Sequence, residues 1–355
     1  MHALVLDSEE VRALLTSKKY DMGFATASDY IGITLLRAYN VSPIISYSTM
    51  GLFQWSVLTG GYAELPWIEN AILDARPNDD RHSFFYRLMA MLRSFHDHYF
   101  FSAHTMATNK LLRTRFGQEF PDAAKIAVNV SLDLVNSSPF LDRGRPITSR
   151  VKYIGGLQLK TTKEQLPEEY ENILSRSKKG VVLFSFGTQV PASQKCPAIR
   201  EAFLGAFKRL PDFDFVWKLD DLPQFGVPNV HVFANLPQRA LLADPRVVAF
   251  ISHMGLNSYI EASLLGVPLV SIPLFVDQFH NARVAVEMGT GVLLRKTALT
   301  EDAIYNALKA LLHNPSFRDN AASLASLMQS STETPERTLL EAVELAAKNK
   351  VNPLI

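Results

Sequence analysis

The segment Phe250-Ile251-Ser252-His253-Met254-Gly255-Leu256-Asn257-Ser258, which continues to Glu261, decides how this part of the chain folds. The apolar run from Val247 to Ile251 is continuous and rich in β-branched and aromatic residues, which is typical of a buried parallel strand. Asn257-Ser258 predicts a helix N-cap, and Ser258 to Gly266 predicts a short helix that the glycine ends. The segment therefore predicts a strand, a polar turn and a helix start in direct succession.

A second unit of the same kind follows within thirty residues. Leu269–Ile272 predicts a strand, and after Pro273-Leu274-Phe275-Val276 the segment from Asp277 to Met288, with Asn281, predicts a helix. Ligands of open parallel sheets bind at the carboxyl ends of the strands. The unpaired N–H groups of a helix start favour a phosphate there, without a metal ion. The two units therefore predict one crevice for an anionic nucleotide.

Both units resemble the donor-binding signature of the UDP-glycosyltransferases, the family that includes the glucuronosyltransferases. Other segments resemble further motifs of that family in the same order: Ile154-Gly155-Gly156-Leu157, Phe184-Ser185-Phe186-Gly187-Thr188, Val216-Trp217-Lys218 and Leu236-Pro237-Gln238. The resemblance runs from Ile154 to about Met328, whereas the region before residue 150 agrees only loosely. It implies an α/β fold of the GT-B type, in which two Rossmann-like domains with parallel sheets face each other, the N-terminal one being incomplete here.

The resemblance also implies a set of donor-binding residues. These are Ser185, Thr188, Lys218, Gln238, His253, Gly255, Asn257, Ser258, Glu261, Asp277 and Gln278. Gln238 and Glu261 would contact the uridine, Asp277 and Gln278 the hydroxyls of the sugar, and Lys218 would lie near the nucleotide. The diphosphate would be held by the serines and the threonine together with His253 and Asn257, and Gly255 belongs to the same turn.

Two residues depart from the family pattern. Asn235 stands where the family usually has a tryptophan that stacks on uracil, and Phe233 is the candidate replacement. Met254 stands where the histidine turn usually has a second glycine. A side chain at that position is expected to narrow the phosphate pocket.

The resemblance implies inverting transfer of a hexose or hexuronic acid. The donor would be UDP-glucose or UDP-glucuronic acid, the acceptor a small lipophilic hydroxyl compound, and no cofactor or metal would be needed. A histidine held by an aspartate would act as the base. None of the nine histidines lies in an early glycine-rich turn, and Thr26 occupies the position of the aspartate, so that Asp29 is the only weak catalytic candidate. A catalytically silent paralogue that binds a UDP-sugar or a protein partner is therefore the alternative function, and a metal-dependent glycosyltransferase is a more distant one.

Three domains are predicted along the chain. Residues 1–150 form a partial acceptor-binding domain, with strands at Ala3–Leu6, Met22–Ala25, Pro43–Ser46 and Ala127–Asn136. Residues 151–330 form the UDP-sugar-binding domain, and residues 331–355 a C-terminal helical tail. Compared with the family, we expect the chain to lack the first third of the acceptor domain and the C-terminal membrane anchor.

Composition limits the partners and the location. A net charge of +1, from 36 basic and 35 acidic side chains, argues against a nucleic-acid partner. No apolar run approaches the roughly 18 residues that cross a membrane, so the chain as given is predicted to be soluble, although the resemblance implies the endoplasmic-reticulum membrane. Cys196 is the only cysteine and excludes an intramolecular disulfide. Association into homo- or hetero-oligomers stays open.

Three other patterns have a structural and a functional interpretation. His96, His98 and His104 would not share one face of a helix well, which disfavours a metal site there. Asp212-Phe213-Asp214 resembles the metal-binding acid pair of another glycosyltransferase fold, but a solvated turn is the favoured interpretation. The aromatic residues from Tyr99 to Phe101 are predicted to belong to the core or to an acceptor pocket.

Overall fold

A computed structural model of the chain describes residues 6–52, 57, 59–62, 83–142, 146–157, 159, 165–187, 196–221 and 225–349. These residues form two compact units. The first contains the described residues up to 157 together with those from 333 onward, and the second contains residues 159–332. The predicted strand Ala3–Leu6 lies almost entirely outside the described residues.

The first unit is a four-stranded parallel sheet with helices. Its strands are β1 (Gly23–Thr26), β2 (Ile44–Ser48), β3 (Leu132–Val135) and β4 (Val151–Tyr153), and their order in the sheet is β1-β2-β3-β4. Its helices before residue 157 are α1 (Glu9–Ser17), α2 (Ile31–Ala38), α3 (Phe84–Phe116) and α4 (Ala123–Val128). The predicted strand from Ala127 begins later than expected, because residues 123–128 form α4 and the backbone becomes extended only at Leu132.

The second unit is a six-stranded parallel sheet with helices between most of the successive strands. Its elements are α5 (Glu168–Arg176), β5 (Val181–Ser185), α6 (Pro197–Lys208), β6 (Asp214–Lys218), β7 (Val230–Phe233), α7 (Gln238–Leu242), β8 (Val247–Ser252), α8 (Leu256–Leu264), β9 (Leu269–Ser271), α9 (Gln278–Glu287), β10 (Gly291–Leu293), α10 (Glu301–His313) and α11 (Pro315–Gln329).

The strand order of this sheet fixes where a ligand can bind. The order is β10-β9-β8-β5-β6-β7, so the chain runs outward from β5 on one side and from β8 on the other. In such doubly wound sheets the crevice opens at the carboxyl ends of the two strands where the order reverses. Ser185 and Ser252, the last residues of β5 and β8, are paired in register at this position.

Aromatic side chains fill the core of the second unit. Phe184 stacks on Trp217 with 4.6 Å between ring centroids, and Phe207 stacks on Phe215 with 3.8 Å. All four side chains are buried within one cluster that joins the central strands to α6 and α10. Such stacked pairs add about 0.5–1.5 kcal/mol each beyond the area they bury. The strands that carry the crevice are therefore rigidly supported from one face.

The last helix, α12 (Pro335–Asn349), belongs to the first unit. Ala342 and Ala346 of α12 are buried against Ile45, Leu132 and Leu134 of β2 and β3. The sequence predicts a C-terminal helical tail over residues 331–355, and within it α12 packs on this sheet through the small side chains of one face.

Helix α3 exposes aromatic side chains. Phe101 packs against Tyr30, with 5.6 Å between the ring centroids, as expected for a core residue. Tyr99 and Phe100 are 73% and 55% exposed, so they do not belong to the core, and the alternative that they line an acceptor pocket stays a prediction. No helix of the described residues combines the length and the apolar character needed to cross a membrane.

A buried ion pair connects three segments of the first unit. Arg150 donates from Nη2 to Oδ2 of Asp133 at 2.9 Å and from Nη1 to the carbonyl of Val128 at 2.7 Å. Asp133 also accepts hydrogen bonds from the hydroxyls of Ser46 and Tyr62. The side chains of the pair are only 6% and 10% exposed. The carboxylate of β3 is therefore compensated by three donors in a site that excludes most water.

We expect Arg150→Ala to destabilise the first unit by about 3–5 kcal/mol, because it leaves the charge of Asp133 buried without its counter-ion. Urea unfolding measures this loss. Arg337→Ala is the control, since it breaks an exposed ion pair with Glu341 on α12 and should change stability by about 0.5 kcal/mol or less. Equal effects of the two substitutions would contradict the importance of the buried pair.

Candidate functional site

One cavity lies at the carboxyl ends of β5 and β8, with a volume of about 460 Å³. It is lined by Ser185, Gly187, Lys218, Asn235, Leu236, Gln238, His253, Gly255, Leu256, Asn257, Ser258 and Glu261. Eight of the eleven predicted donor-binding residues are in this lining. Its size falls within the range of roughly 300–1,000 Å³ that small-molecule sites occupy. Thr188, another predicted member, lies outside the described residues.

Two glycines hold the ring of His253 between them. A Cβ atom at Gly255 would lie 2.5 Å from Nε2 of His253, and one at Gly187 would lie 2.8 Å from its Cε1. Gly187 also has a positive φ of 72°, which favours glycine on its own account. The ring can reach its position only because both neighbours lack side chains. Gly255 therefore leaves the space that the imidazole of His253 occupies. Gly187 does the same from the other side, and the sequence did not predict this contact.

Burial keeps His253 neutral. The side chain lies in a residue that is 7% exposed, and burial lowers the pKa of His253 to about 4, an effect that the backbone of Ser185 opposes in part. Its Nδ1 is buried without a hydrogen-bond partner of good geometry among the described residues. At neutral pH the ring therefore offers the cavity a hydrogen-bonding group without a positive charge. An anion bound beside it would favour the protonated form and raise the pKa.

Gln238, Ser258 and Glu261 form one hydrogen-bonded group. Nε2 of Gln238 donates to Oε2 of Glu261 at 2.6 Å and to Oγ of Ser258 at 3.1 Å. Burial raises the pKa of Glu261, and the bond from Gln238 opposes this. Both N–H groups of the Gln238 amide are thus used within this group, whereas its carbonyl oxygen and Oε1 of Glu261 take no part in these two bonds.

Helix α8 begins two residues earlier than the sequence predicts. Its first residue is Leu256, and Gly255 takes the N-cap position with extended backbone angles and no side-chain cap. Asn257 and Ser258 are therefore in the first turn of the helix, not at its cap. Their side chains still line the cavity, since side chains of a first turn lie beside the exposed end of the helix.

Asp277 and Gln278, from the second of the two predicted strand–turn–helix segments, lie next to this cavity but are not part of its lining. Oε1 of Gln278 accepts from the backbone N–H groups of Leu274 at 2.9 Å and Phe275 at 3.1 Å. Asp277 is the N-cap of α9, and its carboxylate accepts from the backbone N–H of Leu256 at the start of α8. Burial raises the pKa of Asp277, and these hydrogen bonds oppose it. The side chain of Gln278 thus holds its own loop, and Asp277 connects this loop to the start of α8.

Lys218 and Ser185 make local contacts within the cavity wall. Nζ of Lys218 donates to the carbonyl of Gly187 at 3.3 Å, and Oγ of Ser185 accepts from the N–H of Gly187 at 3.1 Å. Both contacts hold the turn after β5. The cation is placed at the wall of the cavity, where it would lie near a bound anion.

The two departures from the family pattern have different outcomes. Phe233 packs against Tyr170, with 4.5 Å between the ring centroids, and is absent from the cavity lining. It therefore does not replace the missing tryptophan. Asn235 and Leu236 line the cavity at this position instead. Met254 has a φ of +67° and a fully buried side chain that is also absent from the lining. The expectation that Met254 narrows the cavity is therefore wrong, because the left-handed backbone directs its side chain into the protein.

The weak catalytic candidate Asp29 has a local structural contact. Its Oδ1 accepts from the backbone N–H of Ile31 at 2.8 Å, at the start of α2. The hydroxyl of Thr26 is bonded to the backbone N–H of Ser28, two residues on. Both side chains therefore order the turn between β1 and α2.

The patterns that resembled metal sites make other contacts. Asp212 accepts from Lys179 at 2.9 Å, and Asp214 pairs with Nε2 of His231 at 2.7 Å. His96 pairs with its neighbour Asp97 on α3. Within the described part of the chain, no group of three or more His, Cys, Asp or Glu side chains is arranged to hold a metal ion.

We expect His253 to make stability depend on pH between about 6.5 and 4. Its pKa is about 4 in the folded protein, against roughly 6.5 in an unfolded chain, so the unfolded state binds more protons in this interval. Stability is therefore lost as the pH falls, by about 3 kcal/mol in total. Urea unfolding of His253→Asn at a series of pH values should show a smaller loss than the unsubstituted protein. His313→Asn, on the surface, is the control; the same pH dependence in both variants would disprove a buried neutral His253.

Comparisons with known proteins agree with this geometry. Residues 3–343 match the profile of the family described as "UDP-glucoronosyl and UDP-glucosyl transferase". A Caenorhabditis elegans protein named as a putative UDP-glucuronosyltransferase, ugt-50, is 28% identical over 340 residues, which cover 93% of this chain and 64% of the relative. A second one, ugt-48, is 34% identical over 251 residues, which cover 68% of this chain and 47% of the relative. The chain thus spans less than two thirds of the length of these relatives.

The fold has solved counterparts. The crystal structure of the glycotransferase of kitacinnamycin superimposes with a TM-score of 0.68 at 19% identity, over 99% of this chain and 80% of that one. At this identity the likeness concerns the fold, which is the GT-B arrangement of Rossmann-like α/β domains that the sequence predicts. The family profile covers nearly the whole chain, and eight of the residues predicted from the family signature line one cavity. This chain belongs to the UDP-glucuronosyl and UDP-glucosyl transferase family.

Proposed function

We propose that the cavity at the ends of β5 and β8 binds the UDP part of UDP-glucose or UDP-glucuronic acid. The observation that carries this proposal is that eight predicted donor-binding residues, from four separate segments of sequence, line a single cavity. Structural packing alone does not require polar side chains from distant segments to converge on one open space. A nucleotide of the size of UDP suits both the volume and the mixture of amide, carboxylate and hydroxyl groups.

Each part of the nucleotide has a proposed partner. The oxygen of the Gln238 amide accepts from the N3–H of uracil, and Glu261 accepts from the ribose hydroxyls. The diphosphate lies at the start of α8, where backbone N–H groups and the helix dipole favour negative charge. Lys218, Ser185 and His253 lie around the same point. Asp277 and Gln278 take the hydroxyls of the sugar.

The reaction that we propose is inverting transfer of the sugar. An acceptor hydroxyl loses its proton and its oxygen attacks the anomeric carbon, while the bond to the diphosphate breaks and UDP leaves with the electron pair. Donors at the helix start stabilise the negative charge that develops on the leaving diphosphate. A small lipophilic compound is the proposed acceptor, and the endoplasmic-reticulum membrane is the location that we propose from the family resemblance.

A catalytically silent donor-binding protein is the second candidate. It is favoured by Thr26, which stands where the resemblance expects the aspartate, and by Asp29, whose Oδ1 accepts from the backbone N–H of Ile31 in the turn after β1. The two candidates share the donor site and differ only in the transfer step. A binding experiment therefore tests the site, and a transfer experiment separates the candidates.

We expect purified protein to bind UDP-glucose or UDP-glucuronic acid in a calorimetric titration, and Glu261→Ala to weaken binding at least tenfold. The reason is that hydrogen bonds to a charged group contribute about 1.5–3 kcal/mol. Glu344→Ala, which removes an exposed partner of Lys348 on α12, is the matched control and should bind as tightly as the unsubstituted protein. Folded protein that binds neither UDP-sugar would refute the donor site.

Transfer is measured with a UDP-sugar labelled in the sugar and a panel of phenols and steroids. Glycoside formation that disappears with His253→Ala and persists in EDTA supports the enzyme. Binding without any glycoside supports the silent protein instead. Loss of activity in EDTA would favour a metal-dependent mechanism.

A further inference from the structure

The turn that carries Asp277 is held tightly on both sides. The N–H of Gln278 donates to the carbonyl of Phe275 at 3.3 Å, and the side-chain oxygen of Gln278 accepts two backbone N–H groups of the same turn. Nζ of Lys296 donates to the carbonyl of Leu274 at 2.7 Å. Within this turn Val276 has a φ of +49°, a conformation that is strained for a β-branched residue. Such strain persists only where surrounding contacts enforce it, often beside a ligand.

Asn281 connects this turn to the turn that contains His253 and Met254. It lies four residues after Asp277, on the same face of α9, and is 2% exposed. Its Nδ2 donates to the backbone carbonyl of Met254 at 2.9 Å and to Oδ2 of Asp277 at 3.2 Å. The amide group of Asn281 therefore binds both the backbone of Met254, which follows His253, and the carboxylate of Asp277.

The carboxylate of Asp277 is fixed from two helices. Asn281 approaches it from α9, and the backbone N–H of Leu256 approaches it from the start of α8. His280, three residues after Asp277 on α9, is a titratable group that also acts on this carboxylate. Asp277 is only partly exposed, so every lost donor makes its charged form less favourable.

We propose that Asn281 is a positioning residue, which aligns the carboxylate of Asp277 with the histidine turn so that the sugar subsite and the diphosphate subsite form one rigid unit. This inference rests on the proposed donor site. Asn281 touches no part of the ligand and acts through Asp277 and Met254. Loss of its N–H groups displaces and partly neutralises Asp277, which harms recognition of the sugar more than recognition of UDP.

The test compares UDP with UDP-glucose and UDP-glucuronic acid by calorimetry between pH 5.5 and 8. For each protein, the ratio of the Kd of UDP to the Kd of the tighter UDP-sugar gives the contribution of the sugar. Asn281→Asp keeps the shape of the side chain but replaces its two N–H donors with a carboxyl group that can donate only when it is protonated, beside the carboxylate of Asp277. Asn320→Asp is the matched control, because Asn320 donates to the carbonyl of Gly289 on the surface, away from the cavity.

We expect Asn281→Asp to reduce the sugar contribution at least tenfold at pH 8, where the two ionised carboxylates repel each other, and to recover part of it toward pH 5.5, where a shared proton lets one carboxyl donate to the other. The Kd of UDP should change less than about threefold, and Asn320→Asp should match the unsubstituted protein throughout. Equal weakening of UDP and UDP-sugar at every pH would overturn the positioning role, since it would show general damage to the site.

A second measurement does not need a ligand. Titration of the Asp277 carboxyl carbon by ¹³C NMR, assigned with Asp277→Asn, should give a higher pKa in Asn281→Ala than in the unsubstituted protein. An unchanged pKa would overturn the proposed contact. A protein that binds no UDP but shows this change in pKa would refute the donor site and still support the alignment of Asp277 by Asn281.

Discussion

The site depends on the register of three neighbouring parallel strands. Ser185 of β5 is paired with Ser252 of β8, and Ser252 with Ser271 of β9, so the three strands end at one level. The first two serines also order the turns after their strands, because each hydroxyl accepts the N–H of the residue two positions later, Gly187 or Met254. A shift of one residue in any of these strands would turn its side chains to the opposite face of the sheet. The turns that follow these strands carry Gly187, His253 and Asp277, and they can meet only because this register is fixed.

Much of the second unit could be predicted, for a physical reason. Strands buried on both faces must be apolar throughout, and Val247–Ser252 shows this directly in its sequence. Polar residues directly after such a strand then have little freedom of position. Helix α9 begins within a residue of its prediction, because Asp277 provides a local signal for the N-cap. Helix α8 begins two residues before its predicted start, because Gly255 caps it by backbone conformation and without a side chain.

Other features depend on tertiary contacts that no local pattern reports. The role of Gln278 in its own loop follows from the reversal of the chain at Val276, and the burial of the Met254 side chain follows from a positive φ that a methionine rarely adopts. Phe233 could have stacked on a base, but Tyr170 from α5 covers it. The contact between Asn281 and Asp277 has a signal in the sequence. The two residues are four positions apart, and residues at this spacing share a helix face.

The packing of α12 has a consequence for synthesis of the protein. The described residues 159–332 of the second unit are contiguous in sequence, whereas the first unit combines residues up to 157 with a helix that begins at Pro335. At roughly 5–20 residues per second, the intervening stretch takes on the order of ten to thirty seconds to translate. During that interval Ile45, Leu132 and Leu134 lack the helix that buries them in the finished structure. This face of the sheet therefore stays partly uncovered until the last helix of the first unit has been synthesised.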